Sequence, residues 1–109
     1  SSVAAQMGTP NHEAIAAAKG GLEGLVRGAA ATYAAAGIRI NAVAPSLAMH
    51  PFLAKVTTEE MLEQLVKTEA YGRPAEVWEV ANVMLFLASD LSKYCTGITL
   101  DVNGGMLIH

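Results

Sequence analysis

A chain of 109 residues can bury one hydrophobic core without disulfides or metal, and one domain is its ceiling. Apolar residues make up 52% and charged residues 16%, against roughly 25% charged in an average soluble domain, so a sticky surface is expected, suited to a piece of a larger interior or a subunit hidden against partners. A net charge of −3 with dispersed bases and no long apolar run argues against nucleic-acid binding, membrane insertion and secretion, which leaves the cytoplasm as the expected compartment.

In chain order, residues 1–9 are small and polar enough to read as a loop. Asn11 then offers an N-cap and Glu13 a negative charge in the first turn, so an alanine-rich helix is predicted over residues 11–37, closed by Gly37. About 26 residues of helix would measure roughly 39 Å. Residues 38–43 alternate apolar and polar side chains ahead of Pro45, which predicts a short strand. Thr57 and Glu60 have capping-box spacing before Met61, Leu62, Leu65 and Val66, which predicts a second helix to about Thr68. Gly72 ends that region, and Pro74 suits the first position of a third helix, apolar over most of its circumference and therefore expected to be buried. Residues 97–102 form a β-rich segment that Asn103, Gly104 and Gly105 break.

Strands separated by helical crossovers lie parallel in one sheet, so two strands and three helices imply an α/β fold. Two strands are too few for a stable parallel sheet, which therefore requires others from a preceding segment or another chain. Cys95 is the lone cysteine; without an activating neighbour in Tyr94 or Thr96 it reads as structural.

Ser2, Lys19, the run Ile38-Arg39-Ile40-Asn41-Ala42-Val43-Ala44-Pro45, then Gly72-Arg73-Pro74, and finally Thr96-Gly97 leading to Asp101-Val102-Asn103-Gly104-Gly105 occur in an order and spacing that resemble the C-terminal half of short-chain dehydrogenases/reductases, especially the ketoacyl-reductase-like branch. The resemblance implies the C-terminal part of a Rossmann-like, doubly wound parallel sheet, with residues 1–109 as a single partial domain. It also implies NAD(P)-dependent carbonyl or alcohol chemistry in a protein that has the nucleotide-binding half. Gly20-Gly21 lies inside the predicted long helix and Gly104-Gly105 follows the last strand, so neither reads as the glycine-rich turn that cradles a pyrophosphate.

In the family a tyrosine transfers the proton, a lysine four residues later lowers its pKa and holds the nicotinamide ribose, and a serine thirteen residues earlier binds the substrate oxygen. Ser2 and Lys19 occupy the serine and lysine positions, and Ile15 stands where the tyrosine belongs. Where the family has Pro-Gly and then a threonine near the nicotinamide amide, this chain has Pro45-Ser46 and His50. Ser46 is expected to strain a turn that glycine tolerates, and His50 to crowd the cofactor. His12, on the same helical face about 10 Å along the axis from Lys19, reads as a solvated or capping residue rather than a substitute acid, and Tyr33, about 21 Å away, cannot serve.

Two readings stay open. In one, the chain belongs to a reductase-like protein impaired by Ile15. In the other, it is a truncated relative that acts by self-association through the 11–37 helix and the 74–102 helix and strand, the surfaces the family pairs across two-fold axes; a monodisperse monomer would count against it. The apolar residues Leu47, Met49, Phe52 and Leu53 of the 46–56 segment suit a hydrophobic or acyl-type ligand, or simple packing on the sheet.

Overall fold

A computed structural model describes all residues from Ser1 to His109. A 3-10 turn at Val3–Ala5 precedes helix α1, Glu13–Tyr33, whose end tightens into a second 3-10 turn at Ala34–Ala36. Strand β1, Ala42–Pro45, and strand β2, Ala48–Met49, lead to helices α2, Pro51–Val56, and α3, Glu59–Val66. Strand β3, Ala75–Glu76, runs directly into helix α4, Val77–Ala88, and a 3-10 turn at Asp90–Ser92 connects to strand β4, Thr99–Val102.

The chain is α/β, and both strand pairs are parallel, as the crossover argument requires. β1 pairs with β4 in the register Ala42 with Thr99 through Pro45 with Val102. β2 pairs with β3, Ala48 with Ala75 and Met49 with Glu76. Four strands and four helices replace the expected two and three. A two-residue strand is too short to show a period, and the segment after Pro45 holds β2 and α2 because Pro51 takes the first helical turn, where its missing N–H costs nothing.

Several boundaries move for identifiable reasons. Asn11 is not the cap of α1: it adopts a left-handed φ of 61°, which asparagine tolerates, and His12 takes the cap position. The α-helical part is 21 residues, or about 31 Å, and Gly37 stops it at φ 76°. The first strand starts later than expected because the ladder there is continued by side chains. The Ile40 amide donates to Thr96 Oγ1 (3.1 Å) and the Ile98 amide to Asn41 Oδ1 (3.2 Å). Pro45 stays within β1 because the Ala42 and Ser46 amides are the ones that face β4; by the two-residue period, position 45 turns its nitrogen to the other edge.

Thr58, not Thr57, caps α3, its Oγ1 accepting the Met61 amide at 3.1 Å; Thr57 instead closes α2 in an extended conformation. Pro74 lies ahead of β3 rather than opening α4, whose cap is a reciprocal Glu76–Glu79 box.

The core gathers Val26 and Ala30 of α1, Ala42 and Ala44 of β1, and Leu87 of α4. At Gly97 a Cβ would come within 3.3 Å of Ala30 Cβ, and its φ of 74° is one that side-chain-bearing residues avoid, so glycine lets α1 lie against the entry to β4. Only 11 of 109 residues are buried, and the radius of gyration of 15.0 Å exceeds the roughly 13 Å of a compact domain of this length. α4 is not the buried helix its composition predicts: Val77, Trp78, Met84 and Leu85 are all exposed, because a two-stranded sheet gives an apolar helix too little surface to cover. No helix is long and apolar enough to cross a membrane.

Candidate active site

Ser2 is extended and caps the first 3-10 turn, its Oγ accepting the Ala4 amide at 3.2 Å. Its neighbour Ser1 donates to Glu23 Oε1 (2.7 Å), with Lys19 O at 3.4 Å, and Gln6 Nε2 donates to Glu23 Oε2 (3.4 Å). Glu23 is buried on α1. A buried carboxylate is costly unless donors surround it, so these bonds tether the serine-bearing segment to the helix carrying Ile15 and Lys19.

Ile15 and Lys19 stand one turn apart on the same face of α1. Ile15 is 47% exposed, and Lys19 is half-buried with no carboxylate in ion-pair range. The helix thus presents an amine and a hydrocarbon side chain one turn apart, with isoleucine offering no ionisable oxygen at position 15.

Pro45 and Ser46 close β1. Ser46 avoids the left-handed region that glycine favours, so the strain expected of it is absent. Its hydroxyl donates to Glu69 Oε1 at 2.5 Å, and the Leu47 amide reaches the same oxygen at 3.4 Å. His50 caps α2, with Nδ1 accepting the Leu53 amide at 3.3 Å and the ring stacked on Phe52 at 6.0 Å. It is exposed. No hydrogen bond links Ser2 or Lys19 to Pro45, Ser46 or His50.

A cavity of about 330 Å³ opens at the carboxyl ends of β1 and β4, lined by Ser46, Glu69, Arg73, Asp101 and Asn103 among others. This is the end of a parallel sheet where ligands bind. On its wall Arg73 makes a bidentate pair with Glu79 (2.8 and 2.9 Å). That guanidinium holds the Glu79 carboxyl down at about 2, helped by the Glu76 amide. Asp101 Oδ2 pairs with His109 Nε2 at 2.6 Å, while its Oδ1 is buried without a partner.

Gly104 and Gly105, at φ 56° and 80°, are turn and packing glycines: a Cβ on Gly105 would meet Ala70 Cβ at 2.6 Å, and one on Gly104 would meet Glu69 Oε2 at 3.2 Å. Gly20 and Gly21 lie within α1. None of the glycines with positive φ opens a helix, so these residues do not form a pyrophosphate cradle.

Sequence reasoning missed Glu23 and Glu69. Both are acids embedded in ordinary-looking helical or loop sequence, and the only signal for either is a serine that lies far away along the chain.

Residues 1–107 match a family model described as enoyl-(acyl carrier protein) reductase. Over its whole length the chain is 42% identical to an uncharacterised short-chain type dehydrogenase/reductase of Sinorhizobium fredii, covering 44% of that protein. The chain belongs to the short-chain dehydrogenase/reductase family. Another member, the (5R,7aS)-5-hydroxy-7a-methyl-1-oxo-2,3,5,6,7,7a-hexahydro-1H-indene-carboxyl-CoA reductase of Mycobacterium tuberculosis, is 51% identical over 81% of the chain and 34% of its own length. The crystal structure of a 3-oxoacyl-[acyl-carrier protein] reductase from Brucella melitensis superposes with a TM-score of 0.90 at 36% identity, over 100% of this chain and 41% of that one. The chain thus spans less than half the length of these short-chain dehydrogenases/reductases.

Proposed function

We propose that these residues form the serine- and lysine-bearing part of a cytoplasmic oxidoreductase that acts on a carbonyl or alcohol of an acyl thioester, with turnover impaired at Ile15. The observation that carries this reading is the tether through Glu23. It keeps the segment of Ser2 on the helix where Ile15 precedes Lys19 by one turn, so the scaffold for proton transfer persists while its acid is missing. The thioester class rests on the names of the relatives from Mycobacterium tuberculosis and Brucella melitensis.

A bound NAD(P)H would supply the hydride, and Lys19 and the Pro45-Ser46 turn are the groups here that would hold its nicotinamide end. The Ser2 hydroxyl would hold the substrate oxygen. Without a side chain at position 15 that can give up a proton, that oxygen must be protonated by water, which costs about 10²–10⁴ in rate.

Ile15→Tyr in the protein as it occurs is therefore expected to raise NADPH-dependent reduction of acetoacetyl-CoA by about a hundredfold or more. Turnover that stays at background in this variant, with NADPH binding intact, sinks the reading.

A second reading is favoured by the exposure of Val77, Trp78, Met84 and Leu85 on α4 and of Leu22 and Leu25 on α1. These faces suit a homo-oligomer that acts by association rather than turnover. Light scattering on the purified protein separates an oligomer from a monomer.

A further inference from the structure

The turn after β1 carries a carboxylate that the proposed chemistry does not use. Glu69 is 5% exposed, and no cation neutralises it: the Arg73 guanidinium is spent on Glu79 and the Pro74 carbonyl. The donors on Glu69 are the Ser46 hydroxyl and the Leu47 amide, both on one oxygen. Its other oxygen lies over Gly104, where a Cβ would come within 3.2 Å, and the Tyr71 amide donates to Gly104 O at 2.9 Å. The side chain therefore bridges the end of β1 to the turn after β4. From the β1 end, β2 and α2 continue in sequence.

We propose that Glu69 is a positioning residue: its buried carboxylate, held by Ser46 and Leu47, fixes the turn after β1 and so sets where the 46–56 segment stands at the carboxyl end of the sheet, the side on which an acyl substrate would lie. The substrate half of this statement rests on the oxidoreductase reading; the latch itself does not. Serine at position 46 belongs to the same device. A glycine there has no hydroxyl to donate and would leave Glu69 with one weak amide contact, so Ser46 and Glu69 function as a pair. A buried carboxylate stripped of its donors is costly, and that cost holds the turn closed.

The test is hydrogen exchange on the full-length protein, with equilibrium binding of acetoacetyl-CoA beside it, in wild type, Glu69→Ala, Glu69→Gln and Ser46→Ala. Glu69→Ala is expected to speed exchange at the Leu47 amide by about tenfold, because it releases both that amide and the Ser46 hydroxyl that holds the turn beside it. The Ala42 amide, bonded to Ile98 O, should stay unchanged, and the Kd for acetoacetyl-CoA should rise. Glutamine keeps an acceptor oxygen, so Glu69→Gln should restore most of both. Ser46→Ala leaves the carboxylate in place and should loosen the same amide even if Glu69→Ala fails to fold.

Exchange at Leu47 that does not change, or that rises equally at Ala42 and Leu47, overturns the latch. A localised rise at Leu47 with an unaltered Kd overturns its role in substrate placement. Wild-type protein that binds neither acetoacetyl-CoA nor NADPH removes the oxidoreductase reading instead, and the exchange data still decide the latch.

Discussion

The two parallel pairs are secured in opposite ways. β1 and β4 share four residue pairs, and beyond the strand itself the pairing is prolonged by polar side chains that stand in for backbone. Asn41 donates to Cys95 O (2.9 Å) and accepts from the Ile98 amide, Thr96 accepts from Ile40, and Arg39 reaches Ser89 O, Ser92 O, Ser92 Oγ and Cys95 O at 2.9–3.3 Å. β2 and β3 share two pairs, and the backbone bond from the Ala75 amide to Leu47 O extends them by one step. Around that pair stand one buried carboxylate, Glu69, and one exposed ion pair, Arg73 with Glu79. The first pair is a scaffold in which many groups fail together. The second is held by few contacts, so single residues decide its position.

The comparison breaks most visibly at Arg39. Its guanidinium sits at the C-terminal end of α4, where a positive charge complements the helix dipole and free carbonyls need donors. Ser92 is 2% exposed, so water cannot readily replace the lost bonds. Arg39→Ala should cost about 3 kcal/mol, read as a fall in the urea midpoint, and exchange should accelerate across β1 and β4 together. A loss confined to the α4 terminus would show that Arg39 serves the helix and not the scaffold.

Gly105→Ala comes next. The new Cβ would be 2.6 Å from Ala70 Cβ at a φ of 80°, so the turn after β4 must shift away from the segment bearing Glu69. A cost of about 2 kcal/mol is expected. Because Glu69 packs against the same turn, exchange at Leu47 should rise with it. Equal stability of the variant and wild type would mean that the two regions are less tightly joined than the contact indicates.

How much of this was legible follows from how far along the chain each signal reaches. The α1 stop at Gly37, the β4 strand and the parallel pairing rest on local rules of period and turn chemistry, and they survive with small shifts. The Glu76–Glu79 box was equally local but was hidden behind Pro74, a stronger helix-start signal that turned out to lie before a strand. β2 and β3 have two residues each, which leaves no period to read. Glu23 meets Ser1 across 22 positions and Glu69 meets Ser46 across 23; nothing in one residue's neighbourhood announces the other. The Ser2, Ile15 and Lys19 spacing was legible through resemblance, whereas the chemistry it supports depends on groups that no spacing reveals. The strain expected of Ser46 was misjudged because that reasoning took the family's glycine to need a left-handed backbone, and the backbone here does not adopt one.

The smallest effect belongs to the second region's ion pair and tests whether an exposed contact matters there at all. The Glu79 carboxyl is held at about 2 by Arg73, below its ordinary value of 4.5. For an acid whose pKa falls on folding, the unfolded state binds the proton first. The pair therefore stabilises the fold fully above about pH 4.5, and that contribution fades as the pH drops toward 2. Both side chains are open to solvent, so salt and water screen much of the pair. Thermal melts of wild type and Arg73→Ala between pH 7 and pH 2 should show a small difference at neutral pH that shrinks below pH 4.5, and that 1 M salt reduces. A difference that persists at pH 2 would assign Arg73 a role beyond its pair with Glu79, through its stack over Tyr71 at 5.9 Å, and would make that cation–π contact, which does not titrate with Glu79, the hold at the β3 end of the site.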